Sequence, residues 1–323
     1  IFIILFMISK QLRQRWKDEY GKEWFQFILD NPHIHWDYWE LSKHPNITWE
    51  IIKNNPEFDW NYTNLSINPN ITWEIVQNNP GKKWHYGFLS MNPNITIDIV
   101  KNNLGKDWDY SYLSSNPNTT FDIIKNNPEI DWDYNCLSLN QNIMWEIVQN
   151  NPQIPWYYAN LSRNPNITWD IVKNNPDKNW DYYSLSKNPN ITFDIAQNNP
   201  NKNWDYYSLS KNPNITWEIV QNNPQIPWNY DWLSENPNIT WEIVQNNQGQ
   251  DWNYNYLSKN PNITWEIVKN NQGQKWCYNW LSQNRMTKGF NDYMEKKEEL
   301  YNIAYKIIDR YTNRDIAEMI MSI

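Results

Sequence analysis

A tryptophan returns every 24 residues, at positions 36, 60, 84, 108, 132, 156, 180, 204, 228, 252 and 276, with no insertion between any two. A period this strict means that one structural unit is stacked on copies of itself, and that no copy buries its apolar face alone. Ten full units run from Trp36 to Lys275, and an eleventh begins at Trp276 and fades after Asn284. Upstream, "FQFILDNPHIHW" matches the second half of a unit: Phe25 sits where Trp49 sits, and Pro32 where Pro56 sits. The array therefore starts with a half-unit near residue 22.

The wording of the unit decides between strand and helix. In "WDYYSLSKNPNITF" (180–193) a leucine-rich repeat would need an apolar residue four places from the start, yet the equivalents are Thr63, Gly87, Ser111, Asn135, Asp231 and Asn255. An inward-pointing strand would alternate, and this stretch does not. The helical reading fits. Asp or Asn follows the Trp in eight of eleven units, as an N-cap should. With Asp181 as N-cap, Trp180 and Leu185 form a hydrophobic staple. In "NITWEIV", Thr216 is the second N-cap, and Ile215 with Val220 the second staple. Asn188 and Pro189 are expected to end the first helix, with Asn in the left-handed conformation. Each unit reads as two antiparallel helices of roughly two turns. Helices this short are marginal alone, so the few inward positions carry Trp and Tyr, which bury large areas.

The expected architecture is all-α: an α-solenoid of about ten 24-residue two-helix repeats with helical end caps. Residues 1–35 form an N-terminal segment and half-repeat cap, 36–284 the solenoid, and 285–323 a C-terminal helical cap. In that cap Leu300, Ile303, Ala304, Ile307 and Ile308 follow helical spacing, and a further short helix is expected after Asn313. The opening "IFIILFMISK" lacks a basic start and a small-residue cleavage site, and is too short to span a bilayer. Met7 is a natural initiator, so "IFIILF" reads as translated upstream sequence, with a short membrane anchor as the alternative.

Chemistry is sparse. The net charge of −8 argues against a surface that tracks phosphates, which needs a basic stripe, so nucleic acid is not an expected partner. Cys136 and Cys277 can build neither a disulfide framework nor a zinc site, which points to a cytoplasmic setting. The acidic column Glu50, Glu74, Asp98 through Glu266 reads as helix-dipole complementarity in the first turn rather than a cation ladder. "NIT" and "NLS" read as turns and caps rather than glycosylation acceptors. His33, His35 and His44 carry only a weak metal signal, and no nucleophile, P-loop or HExxH motif occurs. No enzyme, metal or cofactor is expected. Stability of the fold is expected to be weakest in the unit starting at Trp132, which has Gln141 in place of Pro and Met144 in place of the capping Thr.

The units "LSxNPNITWEIVxNNP" with "WDY" resemble tandem-repeat proteins of giant DNA viruses of amoebae, over roughly residues 22–284. That family has no established activity; the resemblance implies an expanded repeat scaffold, plausible in virus–host interaction within the host cytoplasm. Binding information is expected where units differ: the pair after the Tyr, the residue after the Ser, and the linker before the next Trp. Trp39, Tyr112, Arg163, Trp232, Tyr256 and Trp280 are the candidate partner-binding residues. A protein partner is the first expectation, and a glycan or small ligand stacked on aromatics the second.

Overall fold

The computed structural model describes residues 2–311. These form twenty-three helices and no strand. A long helix, Phe2–Leu29, opens the chain and another, Thr287–Tyr311, ends the described part. Between them run eleven first helices, such as Tyr182–Leu185, and ten second helices, such as Trp217–Asn222. Each spans only four to six residues, shorter than the two turns expected. The helix expected after Asn313 lies outside the described residues.

Both caps are where the sequence puts them. The Asp181 carboxylate accepts the N–H groups of Tyr183 and Ser184, and Thr216 Oγ1 accepts that of Ile219. Met144 makes no such bond, yet the helix Trp145–Asn150 forms, because the Ile147 N–H turns to the Met144 carbonyl instead. Inside the array, columns of Leu (41, 65, 89), Ile (47, 71, 95) and Val (76, 100, 148) are almost fully buried. Neighbouring first helices pack on one another, for example Tyr134–Leu139 on Tyr158–Arg163, whereas no two second helices come as close. First helices thus line the tighter, inner radius.

The asparagines hold the units together, a role different from the one expected. No Asn among the described residues adopts a left-handed conformation; Met286 is the sole non-glycine with positive φ. Asn188 is instead fully buried. Its Nδ2 donates to three carbonyls of the preceding unit, Ser162 at 2.9 Å, Asn164 at 3.0 Å and Ile167 at 3.1 Å. Its Oδ1 accepts the Asn190 N–H at 2.8 Å. Asn190 Nδ2 adds bonds to Pro165 O and Ile167 O. Between them, Ser186 Oγ donates to Tyr182 O and accepts the Asp205 N–H of the next unit. The second Asn of "NNP" closes its own helix: Asn175 Nδ2 reaches Ile171 O, and Asn175 O accepts the indole N–H of Trp180. Buried amides satisfied this fully cost little and fix a single register.

The same bonds join the last unit to the first. Asp37 N donates to Ser282 Oγ at 3.2 Å, as Asn61 N does to Ser42 Oγ. Trp36 meets Tyr278 edge-on at 5.7 Å, as Trp84 meets Tyr62 at 5.2 Å. The eleventh unit lacks a second helix of its own; residues 25–29 of the N-terminal helix supply it. Trp36 Nε1 donates to Asn31 O there, and Phe25 packs on Trp60 at 6.0 Å, where Trp49 packs on Trp84 at the same distance. One apolar cluster accordingly includes Trp24, Phe25, Ile28 and Leu41 together with Ile263, Leu281 and Met286. The array is a closed ring, and its terminal helices cap it by meeting each other. Eleven helices spaced about 10 Å apart describe a circle about 35 Å across, which leaves the inner wall open.

Candidate functional site

On every first helix the Tyr, the Leu and the Ser point into the ring wall, so the inner surface falls to the residues between and after them. Those are two of the three places that vary. The residue after the Ser divides the wall in two: Ile67, Met91, Ser115 and Leu139 on one arc, then Arg163, Lys187, Lys211, Glu235 and Lys259 on the next. An acidic chain thus keeps five cations at one register on its inner wall, four on this second arc and Lys43 beside Ile67.

The six candidate residues all lie on first helices. Trp39 is exposed, with Lys43 Nζ 5.6 Å from its ring centre. Tyr112 packs on Phe88 at 5.8 Å. Trp232, Tyr256 and Trp280 form a row, with ring centres 5.5 and 5.0 Å apart. They are half-buried on one another rather than splayed into the lumen. Arg163 is exposed and has no ion-pair or hydrogen-bond partner among the described residues.

Two of the six, Arg163 and Trp232, come together in a cleft of about 600 Å³ that crosses four units. Its other walls are Tyr183, Tyr207, Lys187, Lys211 and Asp205. Tyr183 and Tyr207 are about half exposed, at 54% and 53%. Lys187 Nζ sits 3.8 Å from the centre of the Tyr183 ring, and Lys211 Nζ 4.8 Å from that of Trp232 while pairing with Glu235 at 2.8 Å. The Asp205 carboxylate is committed to the Ser208 N–H of its own helix. Tyr183 and Tyr207 were hidden in the sequence because "WDYYSLSK" occurs twice and so resembles the invariant code. The signal was nonetheless there: both occupy the variable place held by Trp39, Thr63 and Asp231.

Other titratable groups are structural. His44 is buried, stacked on Trp24 at 4.2 Å, while His33 and His35 are exposed. Burial first, then the nearby Arg285 charge, pull the His44 imidazole down to about 4, against a hydrogen bond to Asn284 O that raises it. Burial pushes the Cys136 thiol up, away from nucleophile range. The acids of the second helices stand in their first turns, as dipole complementarity requires. No group of three metal-binding side chains occurs among the described residues, and no helix among them is long and apolar enough to cross a membrane. Models of known families, curated proteins and solved structures were all compared with this chain, and none matches.

Proposed function

We propose that the chain is a non-enzymatic scaffold that binds a protein partner on the inner wall of its ring. One observation carries the reading: the units are held constant by buried Leu, Ser and Asn side chains, while two of the three variable places, with much of the chain's uncoded aromatic surface, lie together on one continuous inner face. Large aromatic and Arg side chains at such a place are typical anchors of binding. On the resemblance to giant-virus repeat proteins, the partner belongs to a host cell. The row Trp232–Tyr256–Trp280 favours a second reading, an aromatic platform for a glycan or small ligand.

Capture from host-cell lysate separates the two when the intact chain is compared with a Trp232→Ser, Tyr256→Ser double variant. A retained protein that is lost in the variant, with an unchanged melt, supports the scaffold. Retention of carbohydrate alone overturns it. A collapsed melt makes Trp232 and Tyr256 wall residues, and the comparison then moves to Tyr183→Ser with Tyr207→Ser, whose rings are more exposed.

A further inference from the structure

Resting on that reading, we infer that the cleft between Arg163 and Trp232 is the ring's specific recognition site, and that its ligand is an extended acidic peptide segment carrying aromatic side chains. The chain carries a net charge of −8, and its neighbouring inner arc bears Ile67, Met91 and Leu139 at the register that here bears Arg163, Lys187 and Lys211. Three of the five cations at this register, Arg163, Lys187 and Lys211, stand in the cleft, against the bias of the whole molecule.

Two of these cations are uncommitted. Arg163 has no partner among the described residues, so its planar fork of donors is free for a carboxylate. Lys187 touches only the face of Tyr183, an arrangement that holds the ammonium in place without neutralising it. Lys211 is half-committed, to Glu235, and an incoming carboxylate would compete for it. The acid inside the cleft, Asp205, is turned to its own helix end. Successive cations stand one unit apart, about 10 Å by helix-packing distance. An extended chain advances about 3.3 Å per residue, so carboxylates about three residues apart would meet successive units.

The rings set the second requirement. Tyr183 and Tyr207 present exposed faces beside the cations, and Trp232 closes one end. A ligand made only of carboxylates would leave these rings in water. A peptide with a Tyr, Phe or Trp between its acids would cover them, and offset ring pairs add attraction beyond the area buried. The cleft, at about 600 Å³, is within the usual range of ligand pockets and admits a few residues at a time.

The probe is a fluorescein-labelled Glu/Tyr copolymer, with a poly-Glu chain, a Ser/Tyr peptide, an oligothymidylate and a heparin oligosaccharide as comparisons, each titrated into the full chain and read by anisotropy. The copolymer is expected to bind more tightly than poly-Glu or the Ser/Tyr peptide, and binding should weaken as salt rises. Arg163→Glu with Lys187→Glu should weaken it about tenfold or more. Reversal of two exposed outer-wall cations, Lys53→Glu with Lys173→Glu, should leave it unchanged; a circular dichroism melt confirms that each variant folds. Tyr183→Ser with Tyr207→Ser should bring copolymer affinity down to that of poly-Glu. Equal loss from the outer-wall reversal, or oligothymidylate or heparin binding as tightly as the copolymer, overturns the inference. So does failure of the copolymer to bind, and that result leaves the lysate comparison, which does not depend on acidic ligands, to decide the scaffold reading separately.

Discussion

Interior joints share one set of neutral amides, a Ser hydroxyl and Trp/Tyr pairs; where the two ends of the chain meet, the hydroxyl and one Trp–Tyr pair recur, but the amide ladder gives way to a histidine, further rings and charges. The joint at Asn188 has the complete set of three ladder bonds, an Asn190 pair and a Ser162 bridge to the Asp181 N–H. At the seam the ladder residue is His44, whose Nδ1 accepts the Asn46 N–H at 3.1 Å and whose Nε2 contacts Asn284 O at 2.9 Å. That leaves Nε2 as the protonated nitrogen, donating as an Asn amide would. Asn46 Nδ2 is buried without a partner among the described residues; its interior equivalents donate to the carbonyls of the Pro and Ile in the preceding unit, as Asn70 does to Pro45 O and Ile47 O, places held at the seam by Arg285 and Thr287. The deficit is offset by aromatics: Tyr20 packs on Trp265, Phe290 and Tyr293 within 5.1–5.3 Å. Gly21 permits this close approach, since a Cβ there would stand 3.0 Å from Asn46 O. The contrast teaches that repetition makes a joint insensitive to conditions, while closure falls to residues that respond to pH and salt. The ring should open at the seam first.

The largest effect is expected inside the array. Asn188→Ala removes both amide N–H donors, shared among three backbone carbonyls, and one acceptor for the Asn190 N–H, and should cost about 3–4 kcal/mol in a urea unfolding measurement. His44→Ala removes one ladder donor, the acceptor of the Asn46 N–H and the ring stacked on Trp24; with fewer ladder bonds lost it should cost less at neutral pH. Equal costs would mean that the seam is as tightly made as the joints it was contrasted with.

Acid should then single out the seam. In the folded ring the His44 imidazole titrates near 4, below the ordinary value of 6.5, chiefly through burial. The unfolded chain therefore takes up the proton first. The neutral His44 contributes its full stability above about pH 6.5, and that contribution is lost as pH falls towards 4, on the order of 3 kcal/mol in all. Melting midpoints of the intact chain and of His44→Asn, followed from pH 7 to pH 4.5, isolate this contribution from the general titration of carboxylates. The intact chain should fall more steeply; parallel curves would sink the argument.

The N-caps and the two half-units were legible in the sequence, because capping is local and its residues lie within three positions of one another. That the halves complete each other was not. A 24-residue period states that units stack but leaves open the angle each adds, and closure at eleven depends on that angle alone. The ladder was misread for a related reason: "NPN" is a turn signal by any local rule, and the bonds that explain Asn188 run 21 to 26 residues back along the chain. At the candidate site, the aromatic variants at Trp39 and Trp232 stood out because they broke the code, whereas Tyr183 and Tyr207, copied in tandem, did not. Leu300 and Ile303, whose spacing marked the C-terminal helix, are exposed on it, at 55% and 47%.

A smaller effect tests whether an interior unit can be improved without touching its joint. Met144 is 58% exposed at a place where Thr caps the other second helices. Met144→Thr should raise stability by about 1 kcal/mol or less, because the Ile147 N–H it would satisfy already has the Met144 carbonyl. Gln141, by contrast, needs no repair, since its backbone carbonyl accepts Asn166 Nδ2 as a Pro carbonyl does elsewhere. No rise in the melting midpoint would show that position 144 is not an energetic cap.

The smallest effect belongs to the charges that tie the two terminal helices. Lys297 Nζ lies 2.9 Å from a Glu19 carboxylate oxygen that also accepts the Tyr293 hydroxyl at 3.2 Å. The Lys297 hydrogen bond holds the Glu19 carboxyl below its ordinary value, so the pair is formed at neutral pH. Both side chains are about one-third exposed, and exposed pairs contribute at most about 1 kcal/mol and are screened by salt. Lys297→Met keeps most of the aliphatic stem over the Tyr293 ring and removes the charge. It should lower the melting midpoint slightly in low salt and not at all in high salt, whereas Asn188→Ala should cost the same in both. If Lys297→Met costs as much in high salt as in low, the terminal helices are held by packing alone, and salt ceases to distinguish the seam from the interior joints.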